Sequence, residues 1–372
     1  MNSGSLREIT TSDGKALKRF VSLERELLGS YPQFVPEVES DAIKRLSGQS
    51  AFFDEMAYTL FVASDGGRDV ARCAALINGK YQRAKNEAVG FIGNFAAAPD
   101  CGPLVQAMFE RAEDWLEQQE VTRIIGPCDG SAFLSFGLLT SGFDEGPMFP
   151  LGWHPPYYAD YFLGSGYEPT YPLWYYTVDF SSDEYRAVAR SALENDVATI
   201  RSVEKKQWDV DLEAFRQIYN EALLEEWEVY PHTIEEFHES LDPFKPILDT
   251  RQILLAEVEG KPVGFCFGVP DLNPLFRSFK GKLGPIQIIR LLMSAGRYRR
   301  AGLFAIGVLP EYRGSGLAQA LAITLYRQFE ERGLKEAAYY VVNESNIASR
   351  RFAESMGGKG RIMYQCYDKR LG

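Results

Sequence analysis

An internal repeat limits what this chain can fold into more than any other feature. The run LVQAM at Leu104–Met108 aligns without gaps against LAQAL at Leu317–Leu321, and both segments continue equally far, to Glu120-Val121 and to Gly333-Leu334, before another apolar stretch. The patterns around them recur in the same order. In the first half, Ala57–Ala63 and Val70–Ile77 flank the turn Asp65–Gly67 as a hairpin, Val89–Ala97 reads as a strand, and Leu104–Gln119 reads as a helix with Leu104, Met108, Ala112 and Leu116 on one face; Val121–Gly126 follows as a strand. In the second half, Ile253–Glu259 and Val263–Val269 flank Gly260-Lys261, Leu303–Val308 is a strand, and a helix carries Leu317, Leu321, Leu325 and Phe329 four apart before the strand Glu336–Val342. Strand, turn, helix, strand repeated once predicts an α/β (α+β mixed sheet) protein of two copies, residues 1–180 and 181–372, divided where the polar run Ser181–Glu184 follows the strand ending at Phe180.

The two turns before the paired helices differ in chemistry. Arg313-Gly314-Ser315-Gly316 opens the second helix, and its two glycines allow a close backbone approach where the free N–H groups and positive dipole end of a helix attract an anion. That turn is expected to hold a phosphate or diphosphate. It is not a nucleotide P-loop, since no Gly-Lys-Ser/Thr follows, nor a dinucleotide site, since the third glycine is missing. In the first copy Asp100 stands where Arg313 stands and Pro103 replaces Gly316, which removes a backbone donor.

The frame Arg-x-x-Gly-x-Ala from Arg313 to Ala318, preceded by Val308-Leu309-Pro310, resembles the acyl-CoA diphosphate motif of the GNAT superfamily of N-acyltransferases. The resemblance spans nearly the whole chain. Phe52-Phe53, Thr122–Pro127, Gly142–Asp144, Pro155–Tyr158, Tyr219–Ala222, Pro270–Asn273, Leu309–Gly314 and Glu344–Asn346 resemble a bacterial family of tandem GNAT proteins, and bacterial ceramide synthases, which join a fatty acyl group to a sphingoid amine, are similar in this layout. It implies two tandem GNAT folds with a degenerate first copy, acyl-CoA as cosubstrate, and transfer of an acyl group to an amine. Val308, Leu309, Arg313, Gly314, Ser315, Gly316, Leu317, Ala318 and Asn346 are then the cofactor-binding candidates. As bases accepting the amine proton, Glu344 is preferred, with Glu221 and Glu226 behind it. Many relatives carry a tyrosine as general acid where this chain has Phe352, so Tyr339, Tyr340 or Tyr364 would have to supply the proton, or the thiolate leaves unaided. The competing functions are a short-chain N-acetyltransferase of a small amine and a non-catalytic acyl-CoA-binding protein.

Charge is unevenly placed. Glu221, Glu225, Glu226, Glu228, Glu235, Glu236, Glu239 and Asp242 lie between residues 221 and 242 with no Lys or Arg among them, which suits either a cationic amine or a solvated acidic face. From Leu272 to Pro310 there is no acid, while Arg277, Lys280, Lys282, Arg290, Arg297, Arg299 and Arg300 accompany Leu275, Phe276, Phe279, Leu283 and the run Ile286–Met293. That insertion reads as an acyl-chain element and a contact with an anionic membrane, or as an ordinary packed insertion. The aromatic stretch Trp153–Tyr176 serves either as the lining of an apolar channel or as core and interdomain packing, the commoner use. A net charge of −11 argues against nucleic-acid binding. Five scattered cysteines and three histidines lack metal-ligand spacing, so no metal is expected. The N-terminus shows no apolar leader and no run is long enough to span a bilayer, so the expected location is cytoplasmic, with a peripheral position at the inner membrane surface as the extension.

Overall fold

The structure is a computed structural model that describes residues 4–194 and 196–372; Met1–Ser3, part of the N-terminus read above as lacking a leader, lie outside the described residues. The first half runs β1 (Ser5–Ile9), α1 (Gly14–Leu28), α2 (Glu39–Lys44), β2 (Met56–Asp65), β3 (Arg68–Asn78), α3 (Gly79–Lys85), β4 (Val89–Ala97), α4 (Gly102–Glu117), β5 (Arg123–Gly126), β6 (Leu138–Ser141), α5 (Tyr158–Gly164) and β7 (Glu168–Asp179). The second runs α6 (Asp183–Leu193), β8 (Thr199–Ser202), α7 (Trp208–Ala222), α8 (Ile234–Leu241), β9 (Ile253–Val258), β10 (Lys261–Pro270), α9 (Asn273–Phe279), α10 (Pro285–Met293), β11 (Ala301–Val308), α11 (Leu317–Glu331), β12 (Glu336–Asn343), α12 (Ile347–Ser355) and β13 (Lys359–Arg370).

All strands join one mixed sheet in the order β1-β2-β3-β4-β5-β13-β7-β12-β11-β10-β9-β8, with β6 beside β13. Read from its two ends, the sheet is the same arrangement twice. The hairpins β2–β3 and β9–β10 correspond, and so do the parallel pairs β4–β5 and β11–β12. The closing strands are exchanged. β13, from the end of the chain, pairs antiparallel with β5 of the first copy, and β7, from the end of the first copy, pairs antiparallel with β12 of the second. The two exchanged strands lie side by side from Lys359↔Thr177 to Asp368↔Glu168. The sheet runs unbroken across Ser181–Glu184, and each copy needs a strand of the other to satisfy the backbone of its parallel pair.

Local chemistry sets the element boundaries. The Asp13 side chain accepts from the amides of Lys15 and Ala16 to start α1, and Thr233 with Glu236 forms a reciprocal capping box at α8, each cap worth about 1 kcal/mol. α4 and α11 bury the faces expected from their apolar spacing, including Met108, Ala112 and Leu116 in one and Leu317, Leu321, Leu325 and Phe329 in the other. The aromatic stretch is packing: Tyr158, Phe162 and Tyr167 are buried, Phe95 and Phe109 pack on Phe162, and Trp153 lies on Tyr31. All five cysteines are buried and unpaired.

One buried charge cluster couples the halves. Glu236 of α8 is fully buried; it meets Lys80 of the first half at 3.0 Å, His232 Nδ1 at 2.9 Å and the Tyr230 hydroxyl at 3.1 Å. Burial pushes this carboxyl up, but the hydrogen bonds from His232, Lys80 and the Thr233 amide outweigh it and hold it below the usual value. His232 is itself held below its ordinary value by burial, which leaves Lys80 as the charge that offsets Glu236. Lys80→Ala is expected to destabilise the protein by roughly 3–5 kcal/mol, the cost of stranding a buried charge, and the double variant Lys80→Ala/Glu236→Gln to recover part of it. Urea midpoints of the three proteins check this.

Candidate active site

β11 and β12 touch only at Gly302↔Ala338 and Leu303↔Tyr339, and then part. The separation has a local cause. β12 carries a bulge between Tyr339 and Val342, with Val341 at φ 63°, which bends it away from β11 and toward β7. A cavity of about 90 Å³ opens in the gap, walled by Ala305 and Ile306 of β11, Tyr339 to Asn343 of β12, Tyr219 of α7, Glu226 and Glu228 of the loop after α7, Asn346 and Ser349 at α12, and Phe133 and Phe136 of the first half. The Leu309 amide donates to the Val263 carbonyl, so the alternation of the antiparallel β10–β11 ladder aims the amides of Val308 and Ile306 the other way, toward the gap. Leu309 is committed to β10; Val308 and Ile306 present donors to the opening.

Past this strand, Gly314 (φ 79°) and Gly316 (φ 81°) adopt the left-handed conformation that favours glycine. The amides of Arg313 and Ser315 donate to Pro310 and Tyr312, and that of Leu317 to the Ser315 hydroxyl. Among the described residues the amides of Gly314, Gly316 and Ala318 have no acceptor in the chain, and Gly316 is the N-cap of α11, with no side-chain cap. An anion seated there would satisfy them, so the loop fits a diphosphate on its own backbone. The Arg313 guanidinium turns instead to the Ala222 carbonyl at 3.1 Å and to Glu225 at 3.3 Å, where it ties the loop to the end of α7.

The corresponding gap in the first copy is filled by the chain itself. The Cys128 amide donates to the Ile92 carbonyl at 2.9 Å, and Asp129 Oδ1 accepts from the Asn94 amide at 2.6 Å, so residues 128 and 129 take up the free edge of β4. Asp100 stands at φ 60° before α4, whose N-terminus holds Pro103.

Of the carboxylates expected to act as bases, the fold brings only Glu226 to the cavity. Its Oε1 accepts from the Asn346 amide group at 2.7 Å, while Asn346 Oδ1 accepts from the Ser349 amide and starts α12. Burial raises the Glu226 carboxyl. Glu221 lies on the exposed side of α7, and Glu344 is exposed at the start of the turn after β12; neither lines the cavity. Sequence reasoning missed Glu228. Burial, with the Glu226 charge second, pushes this carboxyl up to about 7, and its Oε2 is buried with no hydrogen-bond partner among the described residues. Its sequence signal was only one place among eight acids. What distinguishes it is a loop held by the first half: Lys85 donates to the carbonyls of Leu224 and Glu226 at 2.7 and 2.6 Å, and Trp227 stacks on Tyr171 at 4.2 Å.

Phe352 packs edge-on against Tyr339, with ring centroids 6.1 Å apart. Of the three tyrosines weighed as its substitute, Tyr339 and Tyr340 both line the cavity; Tyr340 donates to the Phe149 carbonyl and Tyr364 to the Gly152 carbonyl, while Tyr339 shares a hydrogen bond with Ser349 and burial raises its hydroxyl to about 12, so it carries its proton at neutral pH. No group of His, Cys, Asp and Glu that could hold a metal is found among the described residues.

A second cavity, of about 450 Å³, adjoins the first and shares Phe133 and Phe304 with it. Its walls come from both halves: Phe52, Leu134, Phe149 and Pro150 from the first, and Leu241, Phe244, Ile247, Leu248, Phe267 and Leu272 from the second. Glu37, Asp41 and Glu239 also line it, and so do Leu283 and Ser294–Gly296 of the insertion.

Splayed parallel strands followed by a turn and a helix, present twice in one sheet, give the chain a tandem GNAT-type fold. Residues 212–357 match the model of the Acetyltransferase (GNAT) family. Over 368 residues the chain is 28% identical to the bacterial ceramide synthase of Caulobacter vibrioides, covering 95% of each sequence. It is 25% identical over 364 residues to the protein YghO of Escherichia coli, covering 95% of this chain and 93% of that one. Among solved structures, a tandem GNAT protein from the clavulanic acid biosynthesis pathway superposes with a TM-score of 0.56 at 11% identity, over 100% of this chain and 99% of that one. A GCN5-related N-acetyltransferase from Sphaerobacter thermophilus superposes with a TM-score of 0.51 at 16% identity, over 99% and 96%. These likenesses establish the fold.

Proposed function

We propose that the protein is an acyl-CoA-dependent N-acyltransferase that moves a long-chain acyl group to a lipid amine of the sphingoid type, working in the cytoplasm or peripherally at the inner membrane surface. Residues 1–180 form the degenerate copy and residues 181–372 the catalytic one, each completed by the other's closing strand. The observation that carries the reading is the opening between β11 and β12, which has free strand amides on one wall and, on the other, the raised carboxyl of Glu228, whose Oε2 has no hydrogen-bond partner among the described residues. In this reading the amides of Gly314, Gly316 and Ala318 hold the diphosphate, and the Val308 or Ile306 amide faces the thioester oxygen as negative charge develops there. The amine nitrogen attacks the thioester carbon, and Glu228 removes the ammonium proton. Glu226, held by Asn346, keeps its neighbour's pKa high. As the C–S bond breaks, Tyr339 gives its proton to the sulfur, the task that Phe352 cannot perform.

The second cavity, walled mostly by apolar side chains, supports a long chain over an acetyl group. Its volume lies in the range of ligand pockets, and each CH₂ buried there gains about 0.8 kcal/mol. The name of the Caulobacter relative, at 28% identity, points to the same acceptor class. Purified protein incubated with palmitoyl-CoA or acetyl-CoA and a panel of amines, with free CoA and amide product followed by mass spectrometry, tests the reading. Palmitoyl-CoA with a sphingoid base is expected to be the preferred pair. Equal or better use of acetyl-CoA would leave a short-chain acetyltransferase, and binding without CoA release a non-catalytic protein. Ser240→Phe, which places a ring in the second cavity, is expected to shift the preferred donor to shorter chains by several CH₂ groups; an unchanged chain-length profile would put the acyl group elsewhere.

A further inference from the structure

The insertion leaves one helix face without a protein partner. In α10 only Leu291 is buried, while Ile286 (70% exposed), Ile288, Ile289, Leu292 and Met293 (62%) are exposed. At 100° per residue these five occupy one continuous arc of about 160°, with Gln287, Arg290 and Leu291 on the remainder. A surface helix normally shows the reverse pattern. This arc is as wide as a core-facing stripe, and it faces solvent.

The surroundings say what covers it. Lys280, Lys282, Arg290, Arg297 and Arg299 are exposed around the helix, and no acid occurs from Leu272 to Pro310. Two acids of the first half near it are already paired: Glu39, which meets Gly281 through its backbone, with Arg25 at 2.6 Å, and Glu37 with Arg45. Arg290 is itself braced, stacking on Phe279 at 5.3 Å and donating to the Ser278 hydroxyl at 2.9 Å, so its charge stays beside the arc. An apolar arc with cations at its edges, on a protein of net charge −11, matches an anionic lipid surface: apolar side chains enter the acyl region and cations meet headgroups. A protein partner would have to be acidic and apolar at once. No helix among the described residues is long and apolar enough to cross a membrane, so the contact would be peripheral.

The chain directly after α10 is the edge of the second cavity. Ser294, Ala295 and Gly296 line it, and Ala295 and Gly296 are also exposed, so the cavity meets solvent where the apolar helix ends. We infer that α10 docks the protein on an anionic bilayer and sets the mouth of the second cavity against it, so that the lipid amine passes from the membrane into the cavity without crossing water. The docking stands on the surface alone; the transfer route rests on the N-acyltransferase reading above.

Ile289→Glu/Met293→Glu tests it, since both positions are exposed and outside either cavity wall. Wild-type protein is expected to co-sediment with vesicles of phosphatidylcholine and phosphatidylglycerol at low salt, much less at high salt, and weakly with phosphatidylcholine alone; the double variant should lose roughly tenfold or more of the anionic-vesicle binding. Transfer to an amine embedded in vesicles should fall with it, while transfer to a short water-soluble amine stays unchanged. Equal vesicle binding by both proteins, or none by the wild type, overturns the docking. A wild-type dimer that the double variant converts to monomer, measured by light scattering, overturns it in favour of a second copy of the chain. Vesicle binding lost with no change in transfer from vesicles overturns the entry route. Because sedimentation needs no turnover, an absence of acyl transfer altogether would count against the function and leave the docking result standing.

Discussion

Glu228→Gln is expected to lower the rate of acyl transfer roughly 100- to 10,000-fold while acyl-CoA binding is retained, the range that a positioned general base contributes. In the wild type the rate should fall as pH drops through about 7, where Glu228 takes up a proton, and the variant should lose that inflection. Stability should move the other way. A carboxyl whose folded pKa is raised binds protons in the native state between its ordinary value and about 7, so the native state loses stability as pH rises across that window. Removing the ionisable group is therefore expected to stabilise the protein above pH 7, on the order of 1–3 kcal/mol, and to do little below its ordinary titration range. A less active but more stable protein at pH 8 separates this outcome from simple damage to the fold. Wild-type turnover in Glu228→Gln would remove it from the mechanism, and Glu226 would be next.

Gly316→Pro is expected to weaken CoA binding on the order of 100-fold or more, because the left-handed backbone costs about 1–3 kcal/mol for an unsuited residue and a charge-assisted amide donor is lost besides. Titration calorimetry should give one CoA per wild-type chain. The first copy cannot contribute a second site in this account, since the amide of Cys128 and the carboxylate of Asp129 already occupy the edge of β4. Replacing Asp100 and Pro103 should accordingly leave the stoichiometry and affinity unchanged. Two sites per chain, or unaltered affinity in a folded Gly316→Pro variant, would contradict the assignment. Arg313→Ala is expected to have a smaller effect than Gly316→Pro, because the guanidinium is directed at Ala222 and Glu225.

The sequence by itself determined the elements and their repetition. Apolar residues at spacings of two and four decide which segments become strands and helices, Pro103 and Gly316 decide which turn keeps its donors, and the glycines at 314 and 316 announce backbone that only such residues adopt readily. Those are local properties, set within a few residues. The exchange of β7 and β13 was not legible, because a strand's alternation fixes which face it buries and says nothing of which neighbour it pairs with. For the same reason the candidate base could not be read from the run of acids between Glu221 and Asp242. Eight carboxylates look alike in sequence, and Glu344, favoured for its place at the end of β12, points to water. Glu228 differs from the others only because Lys85, Tyr171 and Phe136, all from the other half of the chain, hold its loop over the gap and strip water from it. Desolvation and the proximity of a second charge are properties of a place in space, and the tertiary structure alone decides which side chain is put there.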